Sequence, residues 1–90
     1  MSVGGRIIEI GPHVLRDMDN AEFHRDVIRI WVVDRNGAES VVYAEPAPEL
    51  PRIGEEIWWQ AGTIYFAGDH CKLKKVGYST DPTRSYGDRP

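Results

Sequence analysis

Ninety residues, 41% hydrophobic and 28% charged, describe one small globular domain, too short for two cores and too apolar for a disordered chain. The formal net charge of −3 excludes indiscriminate phosphate binding, which needs clustered Lys and Arg. No run nears the ~18 apolar residues that cross a bilayer, no basic segment with an apolar signal core opens the chain, and Cys71 is the single cysteine. A cytoplasmic protein, without disulfides and not in the membrane, is the expectation.

In chain order, residues 1–5 read as a loose terminus, because Gly4-Gly5 has no side chains to pack. A first strand should start near Arg6 and run on to Leu15, with a bulge or an edge position where Gly11-Pro12 interrupts it. In residues 17–25, Asp19 followed by Glu22 has capping-box spacing and predicts one or two helical turns, with a plain loop as the alternative.

Residues 27–33 and 40–44 are apolar-rich runs on either side of Asn36-Gly37, which suits a two-residue type I′ hairpin turn. That turn sets Val32 opposite Val41 and Ile30 opposite Tyr43 on the core side, and Trp31 opposite Val42 on the other. The second side, with Trp31, Val33 and Val42, is then either covered by residues 17–25 or open to a partner. Residues 45–51 contain three prolines and predict an extended connector.

A second hairpin follows over residues 56–66. Pairing Trp59 with Ile64 and Ile57 with Phe66 gathers four apolar residues on one face and leaves Trp58, Gln60, Thr63 and Tyr65 on the other. It requires Ala61-Gly62 at the tip, where Ala is a poor first residue; a loop one residue longer would exchange the roles of Trp58 and Trp59. Burial energy exceeds turn preference, so the first register is favoured. After a turn at residues 67–71, a last strand reaches Tyr78, with Leu73, Lys75 and Gly77 on one face and Lys74, Val76 and Tyr78 on the other. Residues 81–90 are polar and turn-rich, a flexible tail on a domain spanning residues 1–80.

The fold expected is all-β with at most one short helix: about six short strands in a small antiparallel, partly closed barrel, SH3-like or OB-like. The run Pro51-x-x-Gly-Glu-x-Ile-Trp58 resembles the strand entries of SH3-like barrels. That resemblance spans eight residues, favours a barrel and implies no activity.

Chemistry-bearing motifs are scarce. His13, His24 and His70 lie in separate segments without metal-ligand spacing, and the neighbours in Asp69-His70-Cys71 point apart on extended backbone. Asp17 to Asn20 lacks the Gly and bidentate Glu of a calcium loop, and Glu55-Glu56 cannot flank one bond as an acid/base pair. No cofactor or metal is expected.

What remains is an aromatic and basic surface. Residues 1–70 carry six Lys/Arg against twelve Asp/Glu, whereas residues 71–90 carry five against two. Trp31, Trp58 and Tyr65 are candidate exposed anchors for a protein partner or for self-association, in a non-catalytic interaction or accessory module. The alternative is a single-strand nucleic-acid binder in which Trp58 and Tyr65 stack bases beside Lys72, Lys74 and Lys75. An enzyme whose site is assembled without a linear motif is the third reading.

Overall fold

The computed structural model describes residues 3–16 and 24–79. Six strands, β1 (Val3–Arg16), β2 (His24–Val33), β3 (Glu39–Ala44), β4 (Glu56–Gln60), β5 (Thr63–Phe66) and β6 (Cys71–Ser79), form one antiparallel sheet. It closes in the order β1-β2-β3-β6-β5-β4, so the all-β barrel expected from the sequence is the fold the chain adopts. Two three-stranded meanders, β1–β2–β3 and β4–β5–β6, are joined along β3–β6 and β1–β4. The described residues contain no helix. Of the segment 17–25, His24 and Arg25 belong to β2, and the rest, like the tail 81–90, lies outside the described residues.

Closure depends on the residues expected to be loose. Val3 to Arg6 pair with Trp59 to Glu56, and from Arg6 onward β1 pairs with β2. At this seam the backbones approach closely: a Cβ on Gly4 would stand 2.2 Å from the Ile57 carbonyl oxygen, and one on Gly5 2.4 Å from that of Val33. Gly4-Gly5 is therefore the closing stitch of the barrel, because only a residue without a side chain fits.

The bulge in β1 falls at Ile8, between the pairs Ile7–Val32 and Glu9–Trp31, and not at Gly11-Pro12. Pro12 stays in register opposite Ile28, in a stretch where β1 has a strand neighbour on one side among the described residues. That is the edge position a residue without an N–H tolerates.

The first hairpin has a longer turn than Asn36-Gly37 alone implies. Asp34 N–H donates to Ala38 O (2.9 Å), Gly37 N–H donates to Asp34 O (3.1 Å), and Gly37 is left-handed at φ 82°. The Asp34 carboxylate also accepts from the N–H groups of Asn36 (2.8 Å) and Ala38 (2.9 Å). Asp at the first turn position with a left-handed Gly makes a three-residue loop. Every pair consequently shifts by one: Trp31 faces Val41, Ile30 faces Val42 and Arg29 faces Tyr43. Val41 and Tyr43 move to the Trp31 side, and Val42 joins the core.

Two apolar clusters result. Inside the barrel, Ile7, Ile30, Val32, Val42, Ile57, Trp59, Ile64, Phe66 and Leu73 pack together. Outside β2 and β3, Leu15, Val27, Val41 and Tyr43 form a second cluster against which Trp31 and Val76 pack. Both are dry: Ile64 and Tyr43 are each 0% exposed. A fully buried side chain of this size contributes about 1.5–3 kcal/mol.

The second hairpin keeps the favoured register, with Trp58 opposite Tyr65, Trp59 opposite Ile64 and Gln60 opposite Thr63 around Ala61-Gly62. The connector 45–55 is irregular, as its prolines require, and is tied to β1 by Ile7 N–H to Glu55 O (2.9 Å) and Gly54 N–H to Ile7 O (2.8 Å). No helix of the described residues is long and apolar enough to cross a membrane.

Candidate functional site

Directly opposite residues on neighbouring strands share a face and bring their side chains together. Gly4, Trp58, Tyr65 and Lys72 are such a row, crossing β1, β4, β5 and β6 on the outside of the barrel. Trp59 is 2% exposed on the inner side, so Trp58 is the member of the Trp pair left on the surface.

The row is ordered by three contacts. Trp58 and Tyr65 stack with ring centroids 4.1 Å apart and planes 17° from parallel. The Lys72 ammonium stands 5.6 Å from the Tyr65 centroid, within range of a cation–π attraction. The Trp58 indole N–H donates to the Asp69 carboxylate at 2.6 Å.

Asp69 reaches that position from the β5–β6 loop, where Ala67 (φ 52°), Gly68 (φ 65°) and Asp69 (φ 71°) are successively left-handed. A non-glycine residue there costs roughly 1–2 kcal/mol, and Asp is among those that tolerate it best. Trp58 is thus held by a neighbouring ring and by a loop whose backbone is set to deliver one carboxylate.

Beside Trp58 lies a cleft of about 580 Å³ between the β2–β3 turn and β4, floored by Gly4 and Gly5. Arg6, Asp34, Arg35 and Glu56 also line it. Because Gly4 occupies the β1 position of the row, the residue directly opposite Trp58 on that strand has no side chain to cover it.

The other sequence candidates are dispersed. Trp31 is half-buried on the first meander, packed on the second cluster with the Arg29 guanidinium 5.3 Å from its ring. Lys74 lies opposite Thr63, beside the aromatic row, with its ammonium 3.9 Å from the Glu45 carboxylate, which also pairs with Arg25. Lys75 does not join them. It sits opposite Ala44, on the side of Leu73, with its ammonium 5.0 Å from the Tyr78 ring centroid. The expected alternation along β6 breaks at a bulge: Val76 is unpaired between Gly77–Tyr43 and Lys75–Ala44, which turns Gly77 outward with Tyr43 and Tyr78 inward with Val42. Trp58, Tyr65 and Lys72 come together; Trp31 and Lys75 stand apart from them.

Cys71 donates to the Glu49 carboxylate at 3.5 Å. Desolvation first, and then the Glu49 bond and charge, push its thiol above its usual value. It therefore stays protonated at neutral pH, the opposite of an activated nucleophile. Among the described residues no group of three or more His, Cys, Asp or Glu is placed to hold a metal ion.

Sequence reasoning missed Asp69, Arg6 and Arg35. Asp69 follows a Gly in a turn next to the strand opposite Trp58, a detectable signal once the β5–β6 hairpin is drawn. The arginines reach the cleft because β1 closes on β4, and nothing local to their segments indicates it. No known protein family, no curated protein and no solved structure matches this chain.

Proposed function

We propose that this protein is a non-catalytic binding module that engages a protein partner through the outer face of β4–β5–β6, with Trp58 and Tyr65 as anchors. The observation carrying the reading is the Trp58–Tyr65 stack, fixed on one side by Asp69 and on the other by Lys72. Aromatic side chains dominate binding energy when little freedom remains to be lost on association, and these two are ordered beforehand. A reducing compartment such as the cytoplasm suits the lone thiol of Cys71.

Single-strand nucleic-acid binding has weaker support. Trp58 and Tyr65 stack on each other, Lys74 is engaged by Glu45, and Lys75 faces the other side. Of the three lysines expected to meet phosphates only Lys72 stands in the aromatic row, and the formal net charge of −3 opposes a polyanion.

A photo-crosslinking amino acid at Gln60, exposed and two residues along from Trp58, tests the reading in cells, with Glu39 on the first meander as the control position. The expected result is a protease-sensitive adduct of discrete mass from position 60 alone, lost on Trp58→Ala; a mass of two chains would identify the partner as a second copy. Equal adducts at both positions, none at position 60, or a nuclease-sensitive adduct would overturn it.

A further inference from the structure

The cleft beside Trp58 points to the chemistry of the partner, an inference that rests on the binding face just described. In the row Gly4–Trp58–Tyr65–Lys72, Tyr65 already has a neighbour on each side, Trp58 and the Lys72 ammonium. Trp58 has one on the β5 side only, because its β1 neighbour is a glycine. Beside Trp58 the glycine floor opens into the 580 Å³ cleft, large enough for a side chain and a few backbone atoms of a visiting segment.

Four charged residues line that space, and they are not equivalent. Asp34 is engaged by its own turn, where its carboxylate accepts from the N–H groups of Asn36 and Ala38. Among the described residues Arg6 and Arg35 have no carboxylate within ion-pair distance, whereas Arg25 pairs with Glu45 and Arg29 with Glu9. The lining is thus charge-balanced, two guanidiniums against the carboxylates of Asp34 and Glu56, but Asp34 is oriented by its turn and only Glu56, opposite Arg6 on β4, is not so held, so the guanidinium forks have donors to spare. A guanidinium presents its donors in a planar fork that matches a carboxylate.

We infer that the cleft receives a peptide segment of the partner protein in which an aromatic residue is flanked by Asp or Glu, the ring stacking on Trp58 above Gly4 and a carboxylate meeting Arg6 and Arg35. The ring extends the existing stack by one member. Offset stacking of this kind adds to simple burial, and the carboxylate fixes the direction in which the segment lies.

The test is an NMR titration of the full chain with N-acetyl-Glu-Tyr-Glu-amide, following the amides of Gly4 and Gly5 and the indole N–H of Trp58. Saturable shifts at these three are expected. Since an exposed ion pair contributes up to about 1 kcal/mol, Arg35→Ala should weaken the titration by about two- to fivefold. Glu-Ala-Glu should give no saturation, and Lys-Tyr-Lys a constant at least about tenfold weaker. Three outcomes would overturn the inference: no shifts up to 10-fold above a millimolar peptide range, equal binding of the Lys and Glu peptides, or the same shifts produced by a short oligothymidylate. If the peptide fails while the Gln60 adduct still depends on Trp58, only the inferred partner chemistry is wrong. If both fail, the binding face is wrong as well.

Discussion

In β1–β2–β3, Ile30 and Val32 point into the barrel while Val27, Val41 and Tyr43 fill a second buried cluster on the outside. In β4–β5–β6 the inner row of Trp59, Ile64 and Leu73 is equally buried, but outside stand Trp58, Tyr65 and Lys72, half-buried or exposed and resting on one another. The meanders share a topology and differ in how many faces they commit to packing. Tyr43 on β3 and Tyr65 on β5 are both outward tyrosines, yet one is a core residue and the other a surface one. Burial of the second face in the first meander lets the second meander leave its aromatics available without loss of the fold.

Truncating the two tyrosines separates these roles. Tyr43→Ala removes a ring with 0% exposure and should cost about 3–5 kcal/mol, enough to unfold much of a domain this small; Tyr65→Ala should cost near 1 kcal/mol. Urea denaturation monitored by circular dichroism reads both. Similar losses for the two variants would break the comparison.

The seam between the meanders comes next. Gly4→Ala brings a Cβ within 2.2 Å of the Ile57 carbonyl oxygen on β4, backbone that cannot swing aside, so a loss of about 1–3 kcal/mol is expected. Gly11→Ala is the internal control, because a Cβ there meets nothing within 4 Å. Hydrogen exchange should show β1–β4 amides losing protection in Gly4→Ala before β2–β3 amides do. Uniform loss would mean that closure is not a separable event.

Within the exposed row, a double-mutant cycle on Trp58→Ala and Tyr65→Ala should return a coupling of about 0.5–1.5 kcal/mol, the value of an aromatic pair beyond its burial. Asp69→Ala should lower that coupling, since the indole loses the acceptor at 2.6 Å that orients it. A coupling indistinguishable from zero would show that the rings are not held against each other in solution.

How far the sequence discloses this arrangement depends on which interactions are local. Alternation along residues 56–66 places Trp59 inward and Trp58 outward because burying four apolar residues outweighs an unfavourable turn residue. In the first hairpin both faces are apolar, so burial gives no preference between registers, and the decision falls to Asp34. Its carboxylate closes a loop one residue longer than Asn36-Gly37 alone would make. The bulges at Ile8 and Val76, and the use of Gly4-Gly5 as a seam, depend on strands brought from the far side of the ring. The same holds for the cleft, whose arginines lie 29 positions apart in the chain, at 6 and 35. Composition disclosed the barrel and one face of one hairpin; long-range pairing made the site.

The turn that went against local preference gives the smallest and most discriminating prediction. Ala61 is left-handed at φ 54°, whereas Gly62 is outside that region and a Cβ on it meets nothing within 4 Å. Left-handed backbone costs a non-glycine residue roughly 1–2 kcal/mol, and glycine gives back about 0.4–1 kcal/mol through the freedom it adds to the unfolded chain. Ala61→Gly should therefore stabilise by up to about 1 kcal/mol, raising Tm by a few degrees in a domain of this size, and Gly62→Ala should stabilise by about 0.4–1 kcal/mol. A loop one residue longer, with a left-handed Gly62, would reverse the two effects and turn Trp59 outward in place of Trp58. Thermal denaturation of this pair of variants thus reports which tryptophan faces solvent, without touching either one.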